Sequence, residues 1–335
     1  MRLHTLFLSA LAGSAAAAAL AQAPQAGTPA PPPAEAKGQG LSDLTSTVQE
    51  LDDQGEPAAP AAPAATAPAP APTSPPAPAG NAPALTAEQI AAVNRAAARG
   101  RALVAITRAG MLATQDMLAR VTDPEGAGID GWIAEAEGAA MVVTFFDNTN
   151  DGPKTVYRAT VLGGRVTSRD TFLGTFKPPL SRTQARLAAA RTAVAATEAQ
   201  ACSPQGFNYL VGPPAGAGGA IDVYRISAPA ARGRIPAGGH FRTSVTGGVA
   251  GESHAFASAC ADIEVTEPPA GQQPRPIQIA ASPDPLPTEV HILLSQMSGR
   301  ALLFTAGTPP RQWLVAGDRI GEIRDGRPNF VTSQD

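Results

Sequence analysis

Three histidines beyond the first few residues are the side chains best suited to acid–base or metal chemistry: His240, His254 and His291. Imidazole nitrogens are common zinc ligands, so three of them could together hold one metal ion. A single imidazole could instead act as the general base of a hydrolase. Either chemistry depends on the elements that carry these residues, and the sequence pattern places each of them in a β-strand.

Strand parity tests whether the histidines can share a site. In a hairpin over residues 240–260, matching the apolar faces puts Phe241 and Phe256 on one face. His254 then shares that face, and His240 points to the other one. A bulge in the glycine-rich turn would reverse this parity. We therefore expect no metal, although a metal-binding protein remains an alternative, and we take four residues as a candidate polar site: His240, Arg242, His254 and His291.

A serine hydrolase needs a hydroxyl within hydrogen-bond reach of its histidine. Ser253 adjoins His254, but neighbours in a strand point to opposite faces, so the two cannot pair directly. We name no catalytic residue and expect no cofactor, while a periplasmic hydrolase that uses His240 or His254 remains an alternative. Three other polar residues could be brought near His240 by the fold, although no spacing selects among them: Ser244, Asp222 and Glu289.

Signature motifs of several enzyme classes do not occur in the sequence. It contains no Walker A loop, G-x-S-x-G elbow, H-E-x-x-H or C-x-x-C pattern. The segment 147–152, Asp-Asn-Thr-Asn-Asp-Gly, superficially resembles the start of a calcium loop. Such a loop requires a bidentate glutamate at its twelfth position, where this chain carries Arg158, whose charge would repel the metal. The segment is therefore predicted to be a hairpin turn.

The two cysteines, Cys202 and Cys260, bracket a glycine-rich segment with the pattern of antiparallel β-structure. In an oxidising compartment a sole pair usually forms a disulfide, so we expect a bridge around which the folded region is organised. Closing this loop would stabilise the folded chain by roughly 4 kcal/mol. The pairing presupposes that the protein is exported.

Residues 1–21 have the pattern of a secretory signal peptide, in which a short positively charged region precedes an apolar, alanine-rich core. Cleavage after Ala21 is expected to leave Gln22 at the new terminus, because the competing site would place Pro24 next to the cut. No later segment reaches about 18 consecutive apolar residues, so no transmembrane segment is expected after cleavage. The protein is thus predicted to be periplasmic or secreted.

Residues 22–84 are dominated by proline and alanine and are predicted to form a disordered, extended arm. The formal charge of −3 provides no basic surface for a phosphate backbone, so nucleic acid is not an expected partner. One short apolar stripe at helical spacing interrupts the arm and could dock on a partner or form only a transient helix. Its residues are Leu41, Leu44, Val48 and Leu51.

Two capping boxes mark the start of two main helices. Thr86 with Gln89 predicts a helix over 87–108, with a further short helical turn from residue 114. Ser181 with Gln184 predicts a second helix that ends near residue 201.

Alternating apolar residues predict antiparallel strands between and after these helices. Four strands form a meander in which Gly163 and Gly164 make a two-residue turn. Because strands and helices are segregated along the chain, we predict an α+β fold with antiparallel β-sheets rather than a doubly wound one. One domain is expected over 85–335, with possible sub-lobes 85–180 and 202–335. The predicted strands are 131–134, 140–146, 155–161, 165–171, 207–211, 221–226, 240–246, 253–265, 289–294, 301–305, 313–316 and 319–323.

Three short runs give the chain a resemblance to known proteins: Gly238-Gly239-His240-Phe241-Arg242, Phe256-Ala257-Ser258-Ala259-Cys260 and Pro287-Thr288-Glu289-Val290-His291. On these runs the chain is similar to a family of uncharacterised exported proteins of alphaproteobacteria, over about residues 95–325 and without the proline-rich arm. The resemblance implies export and a shared domain. It implies no activity, substrate or catalytic residue.

The sequence as a whole favours a non-enzymatic protein that binds another component of the cell envelope, a protein or a polymer. This hypothesis follows from the lack of a catalytic constellation and from an arm suited to reaching a distant partner. The hydrolase and the metal-binding protein are the alternatives.

Overall fold

The computed structural model describes residues 82–332 except 217, 232, 266–271 and 273. The described residues form an α+β fold in which helices pack on mainly antiparallel sheets, as the sequence predicts. The proposed signal peptide, residues 1–21, lies outside the described residues. So does the proposed arm, residues 22–84, apart from its last three residues.

The first sheet is a four-stranded antiparallel meander in chain order. Gly163 and Gly164 form its last turn with positive φ values of 57° and 75°, which residues with a side chain rarely adopt. The segment 147–152 ends one strand and starts the next, so it is the predicted hairpin turn. The strands are β1 (Gly131–Glu137), β2 (Ala140–Thr149), β3 (Gly152–Leu162) and β4 (Arg165–Thr171).

Helix α1 (Ala87–Leu118) begins at the predicted capping box of Thr86 and Gln89. It is one continuous helix, so the predicted end at residue 108 and the separate turn from 114 are wrong. Gly100 weakens the helix by its flexibility but leaves room for close packing. A Cβ at Gly100 would lie 2.5 Å from the Cβ of Ile292, so only glycine allows the close contact.

The second sheet lies between the two cysteines and is antiparallel, with strand order β5-β6-β8-β9. Helix α2 (Arg182–Ala195) starts at the predicted capping box of Ser181 and Gln184 and ends before the predicted residue 201. Just beyond it, Thr197 accepts hydrogen bonds from Arg225 through its carbonyl and hydroxyl oxygens. The strands are β5 (Phe207–Val211), β6 (Ile221–Ser227), β8 (Phe241–Thr246) and β9 (Val249–Ala255), with β7 (Arg234–Pro236) paired to β10 (Asp262–Glu264).

Helix α3 (Glu289–Ser298) replaces the strand predicted over 289–294. The prediction failed because a short apolar run that is buried on all sides has no amphipathic period to distinguish helix from strand. Glu289 opens the first turn, and Gly299 ends the helix in the left-handed conformation with φ of 61°.

The third sheet has one strand before α3 in the sequence and four strands after it. Its strands are antiparallel except for the parallel pair β11–β12. Arg311 and Arg324 donate hydrogen bonds of 2.7 and 3.2 Å to the carbonyl of Pro83, which fixes the chain just before α1. The strands are β11 (Ile277–Gln278), β12 (Leu302–Ala306), β13 (Arg311–Ala316), β14 (Arg319–Arg324) and β15 (Arg327–Phe330).

Two apolar clusters form the core. The larger one joins α1 and α3 to the first and third sheets, so residues from both proposed sub-lobes, 85–180 and 202–335, contribute to it. The smaller one lies between α2 and the second sheet. The Cys202–Cys260 disulfide is present and links the chain after α2 to the segment before β10, as predicted. Within the described residues, no helix combines the length and apolarity needed to cross a membrane.

Candidate functional site

One pocket brings together side chains from α1, from the second sheet and from the segment that leads into α3. It has a volume of about 200 Å³. Two of its lining residues, Arg242 of β8 and His254 of β9, are paired across neighbouring strands, and Arg242 is also paired with the buried Tyr224 of β6. Directly paired residues share a face of the sheet. These three residues therefore point toward the helices α1 and α3.

Glu289, at the start of α3, is the buried carboxylate beneath this pocket, with an exposed fraction of 1%. Its Oε1 accepts hydrogen bonds from the Tyr224 hydroxyl at 3.0 Å and from Nη1 of Arg242 at 2.6 Å. Its Oε2 accepts one from Nη2 of Arg99 at 3.2 Å. Three donors from three different elements thus converge on one carboxylate.

The electrostatics keep Glu289 ionised. Burial alone would raise its pKa, but the positive charge of Arg99, the helix amide and the charge and hydrogen bond of Arg242 outweigh it, so the pKa of Glu289 is lowered. Burial and the neighbouring carboxylate raise the pKa of Tyr224, which therefore remains a hydrogen-bond donor. Burial alone would lower the pKa of Arg242, but Glu289 raises it and keeps the guanidinium charged.

The two arginines are partly exposed at the pocket. Arg99 on α1 has a side chain that is 46% exposed, and that of Arg242 is 27% exposed. Within the described residues, each guanidinium gives a single hydrogen bond, to Glu289. The Arg242 guanidinium also lies 5.8 Å from the centre of the Phe256 ring. Two cations held by one anion leave the cluster of Arg99, Arg242 and Glu289 with one excess positive charge, while Asp284 supplies a second carboxylate next to His254.

His254 completes the rim through a pair with Asp284. Nε2 of His254 lies 3.1 Å from Oδ1 and 3.3 Å from Oδ2 of this aspartate. The edge of the imidazole packs against Phe256, with 5.0 Å between ring centres. Asp284 therefore fixes the orientation of the ring, an arrangement that suits acid–base chemistry as well as binding.

His240 is not part of this pocket, although it was predicted to be part of a polar site. It is buried just before β8, where Nδ1 accepts the Ser227 amide at 3.2 Å and Nε2 donates to the Pro236 carbonyl at 2.9 Å. Burial lowers the pKa of His240 to about 4. Both ring nitrogens are used by the backbone, so the role of this histidine is structural.

His291 lies in the first turn of α3 and not in a strand, because the predicted strand is a helix. Its Nδ1 accepts the Thr288 amide at 3.0 Å, and its ring stacks on Phe304 with 4.1 Å between centres. Burial lowers its pKa to about 4. Of the four candidate residues, the pocket therefore brings together only Arg242 and His254.

The predicted strand parity is wrong. Arg242 pairs with His254 and Phe241 with Ala255, so His254 lies on the face opposite Phe241. The cause is a register shift between Thr243 and Val245, which is the kind of bulge that reverses parity.

The serine side chains also lie away from the histidine. The hydroxyl of Ser253 is hydrogen-bonded to Arg225 and Thr243. It is therefore not paired with its neighbour His254, as parity predicts. Ser244 pairs with Asp222 at an exposed position. Of the described hydroxyl groups, none is hydrogen-bonded to His254, and no described group of three metal-ligating residues is close enough to hold a metal ion.

No family model, curated protein or solved structure matches this chain. The resemblance to exported alphaproteobacterial proteins therefore stays a prediction. The assignment of the site depends on the geometry of the pocket alone.

Proposed function

We propose that this protein is an exported, non-catalytic binding module that holds another component of the cell envelope through the pocket between α1, the second sheet and α3. The observation that carries the proposal is the arrangement of Arg99 and Arg242 on the buried Glu289. A preorganised pair of guanidiniums with unused donors is suited to recognising a charged group on a partner.

The size of the pocket supports binding of part of a larger partner. Pockets that enclose a small molecule usually measure roughly 300–1,000 Å³. This one, at about 200 Å³, fits the end or a side group of a polymer or protein. A partner held in this way would extend from the pocket across the neighbouring surface.

Three features support the proposed location in the periplasm or outside the cell. Residues 1–21 have the pattern of a signal peptide, the two cysteines form a disulfide, and the resemblance stated above is to exported proteins. In this proposal the proline-rich residues 22–84 act as a spacer, since such chains are extended.

Capture from a fractionated cell envelope tests the function. The mature chain starting at Gln22 is immobilised, and retained components are compared with those held by an Arg99→Gln variant. Arg158→Gln is the matched control, because Arg158 is similarly exposed, at 49%, and also pairs with one carboxylate. We expect a component that the wild type and the control retain and that Arg99→Gln loses. Equal retention by the Arg99→Gln variant and the control, or no retained component, would contradict the proposal.

The His254–Asp284 pair favours a second candidate function, hydrolysis in which His254 activates a water molecule. A histidine oriented by a carboxylate at the edge of a pocket is the usual arrangement for a general base. Turnover of ester and amide substrates that disappears in His254→Asn would support this candidate. Turnover that is the same in this variant and the wild type would rule it out.

A further inference from the structure

We propose that the pocket binds the carboxylate end of a peptide chain whose last residue is small or apolar. This inference rests on the proposed function, since it names the chemical group of the partner that the pocket recognises. It is carried by the donors, the charge and the apolar walls of the pocket.

The donors of the pocket indicate an anionic ligand with oxygen acceptors. Both carboxylate oxygens of Glu289 are engaged by Arg99, Arg242 and Tyr224. Each guanidinium donates one hydrogen bond to Glu289, and its other N–H groups donate none within the described residues. The planar fork of an arginine matches the two oxygens of a carboxylate.

The excess positive charge of the cluster of Arg99, Arg242 and Glu289 suits the same ligand. Arg99 and Arg242 together outnumber Glu289 by one charge, and Asp284 is directed at His254. The Glu289 anchor also removes the freedom of both arginines before a ligand arrives, which lowers the entropy lost on binding. One bound carboxylate would balance the excess positive charge of this cluster, on the side of the pocket away from the His254–Asp284 pair.

The apolar walls select a carboxylate that carries a carbon skeleton rather than a free inorganic anion. Ala92 and Ala96 of α1 line the pocket together with Phe256 and Leu286. Such walls favour the burial of a methyl or other apolar group next to the charge. A fully hydrated phosphate would gain nothing from them.

Titration calorimetry with defined small molecules tests the inference. The probes are N-acetyl-Ala-Ala with a free carboxylate, the same peptide as its amide, and inorganic phosphate. We expect saturable binding of the acid, and binding at least roughly tenfold weaker for the amide and for phosphate, because only the acid offers a planar anion on an apolar group. Equal binding of acid and amide, or of acid and phosphate, would overturn the inference.

Two variants locate the binding in the pocket. Arg242→Lys keeps a cation next to Glu289 but loses the planar fork, and Arg99→Gln removes one cation from a half-exposed position. Both should weaken binding of the acid by about tenfold or more, while Arg158→Gln binds like the wild type. A thermal melt confirms that each variant is folded. Unchanged affinity in the two folded pocket variants would contradict the inference.

The failure of this inference can be separated from the failure of the proposed function. Envelope capture that depends on Arg99, without selective binding of the peptide acid, would overturn the ligand class and leave the binding function intact. Selective binding of the acid without envelope capture would support the ligand class and contradict the envelope partner.

Discussion

At the scale of single residues, Glu289 determines the chemistry of the pocket. A buried carboxylate is unfavourable unless it is paired, and here two arginines and a tyrosine pair it. The free energy gained is shared by α1, α3 and the second sheet, since each supplies one part of the cluster. Removing the carboxylate should therefore affect folding as well as binding.

Glu289→Gln is expected to lower the free energy of unfolding by about 3 kcal/mol, because it leaves two neighbouring cations without their shared anion. Urea denaturation at neutral pH measures the change. Asp170→Asn is the matched control, since this exposed carboxylate pairs with Arg158 at the surface and should cost under about 1 kcal/mol. A loss no larger than that of the control would show that Glu289 is not an essential partner of the arginines.

The two buried histidines predict a dependence of stability on pH. Burial lowers the pKa of His240 and His291 to about 4, below their ordinary value of 6.5, so the unfolded chain binds more protons between these values. Stability from these residues is fully present above pH 6.5 and is lost as the pH falls toward 4. Glu289, whose pKa is lowered from its ordinary value of 4.5, adds to the loss only near and below pH 4.5, where the unfolded chain begins to bind its proton.

Urea denaturation between pH 7 and pH 4.5 should show a falling free energy of unfolding, by up to roughly 2–3 kcal/mol for each histidine. His291→Gln keeps an acceptor for the Thr288 amide but cannot titrate. We expect its pH profile to be about half as steep as that of the wild type. Equal slopes in the two proteins would contradict the burial of a neutral His291.

At the scale of elements, the contact between α1 and α3 positions two members of the pocket. Arg99 lies next to Gly100, whose missing side chain makes room for Ile292. Glu289 is in the first turn of the same helix as Ile292. The distance between the two helices therefore sets the distance between Arg99 and Glu289.

Gly100→Ala is expected to destabilise the protein by about 1–3 kcal/mol, because its Cβ would overlap Ile292 and the helices would have to separate. Helix propensity alone predicts the opposite sign, since alanine favours a helix over glycine by about 1 kcal/mol. Thermal unfolding distinguishes the two effects. The double variant with Ile292→Ala is the control: it should cost less than the sum of the single changes. Stabilisation by Gly100→Ala would contradict the close contact.

Local signals in the sequence were sufficient for some elements and not for others. The capping residues Thr86 and Ser181 give the starts of two helices, and Gly163-Gly164 gives a turn, because each acts through its immediate neighbours. Helix α3 could not be predicted, since its apolar run owes its conformation to burial on all sides. The bulge in the β8–β9 hairpin likewise left no unambiguous local pattern.

The candidate site was predictable only in part. Arg242 and His254 stand out as polar residues in an apolar strand pattern, and the structure brings them together. Arg99 and Asp284 have no such signal, because one lies on the exposed side of an alanine-rich helix and the other in a proline-rich segment. They reach the pocket only through long-range packing, and no spacing in the sequence relates Glu289 to Arg242 or His254.

At the scale of the whole molecule, the disulfide supports the strand that carries Arg242. Gly239 lies against Cys202, and a Cβ at this glycine would be 2.6 Å from the sulfur. His240 and then β8 follow directly. The bridge therefore restrains both the unfolded chain and the start of a pocket strand.

A Cys202→Ser/Cys260→Ser double variant should lose about 4 kcal/mol of unfolding free energy, as expected for a closed loop of this length, with a sequence separation of 58 residues. Urea denaturation of the wild type with and without a reductant gives an independent value. The reductant should lower the stability of the wild type and leave that of the double variant unchanged. An equal response of both proteins would mean that the bridge does not account for the stability.

The most direct test of the account is heteronuclear NMR of the arginine side chains during a titration with N-acetyl-Ala-Ala. If the pocket binds a carboxylate through the arginines that Glu289 anchors, the Nε–H signals of Arg99 and Arg242 shift together with saturation, and the signal of Arg158 stays in place. Shifts of all three signals to the same extent, or of none, would contradict the account.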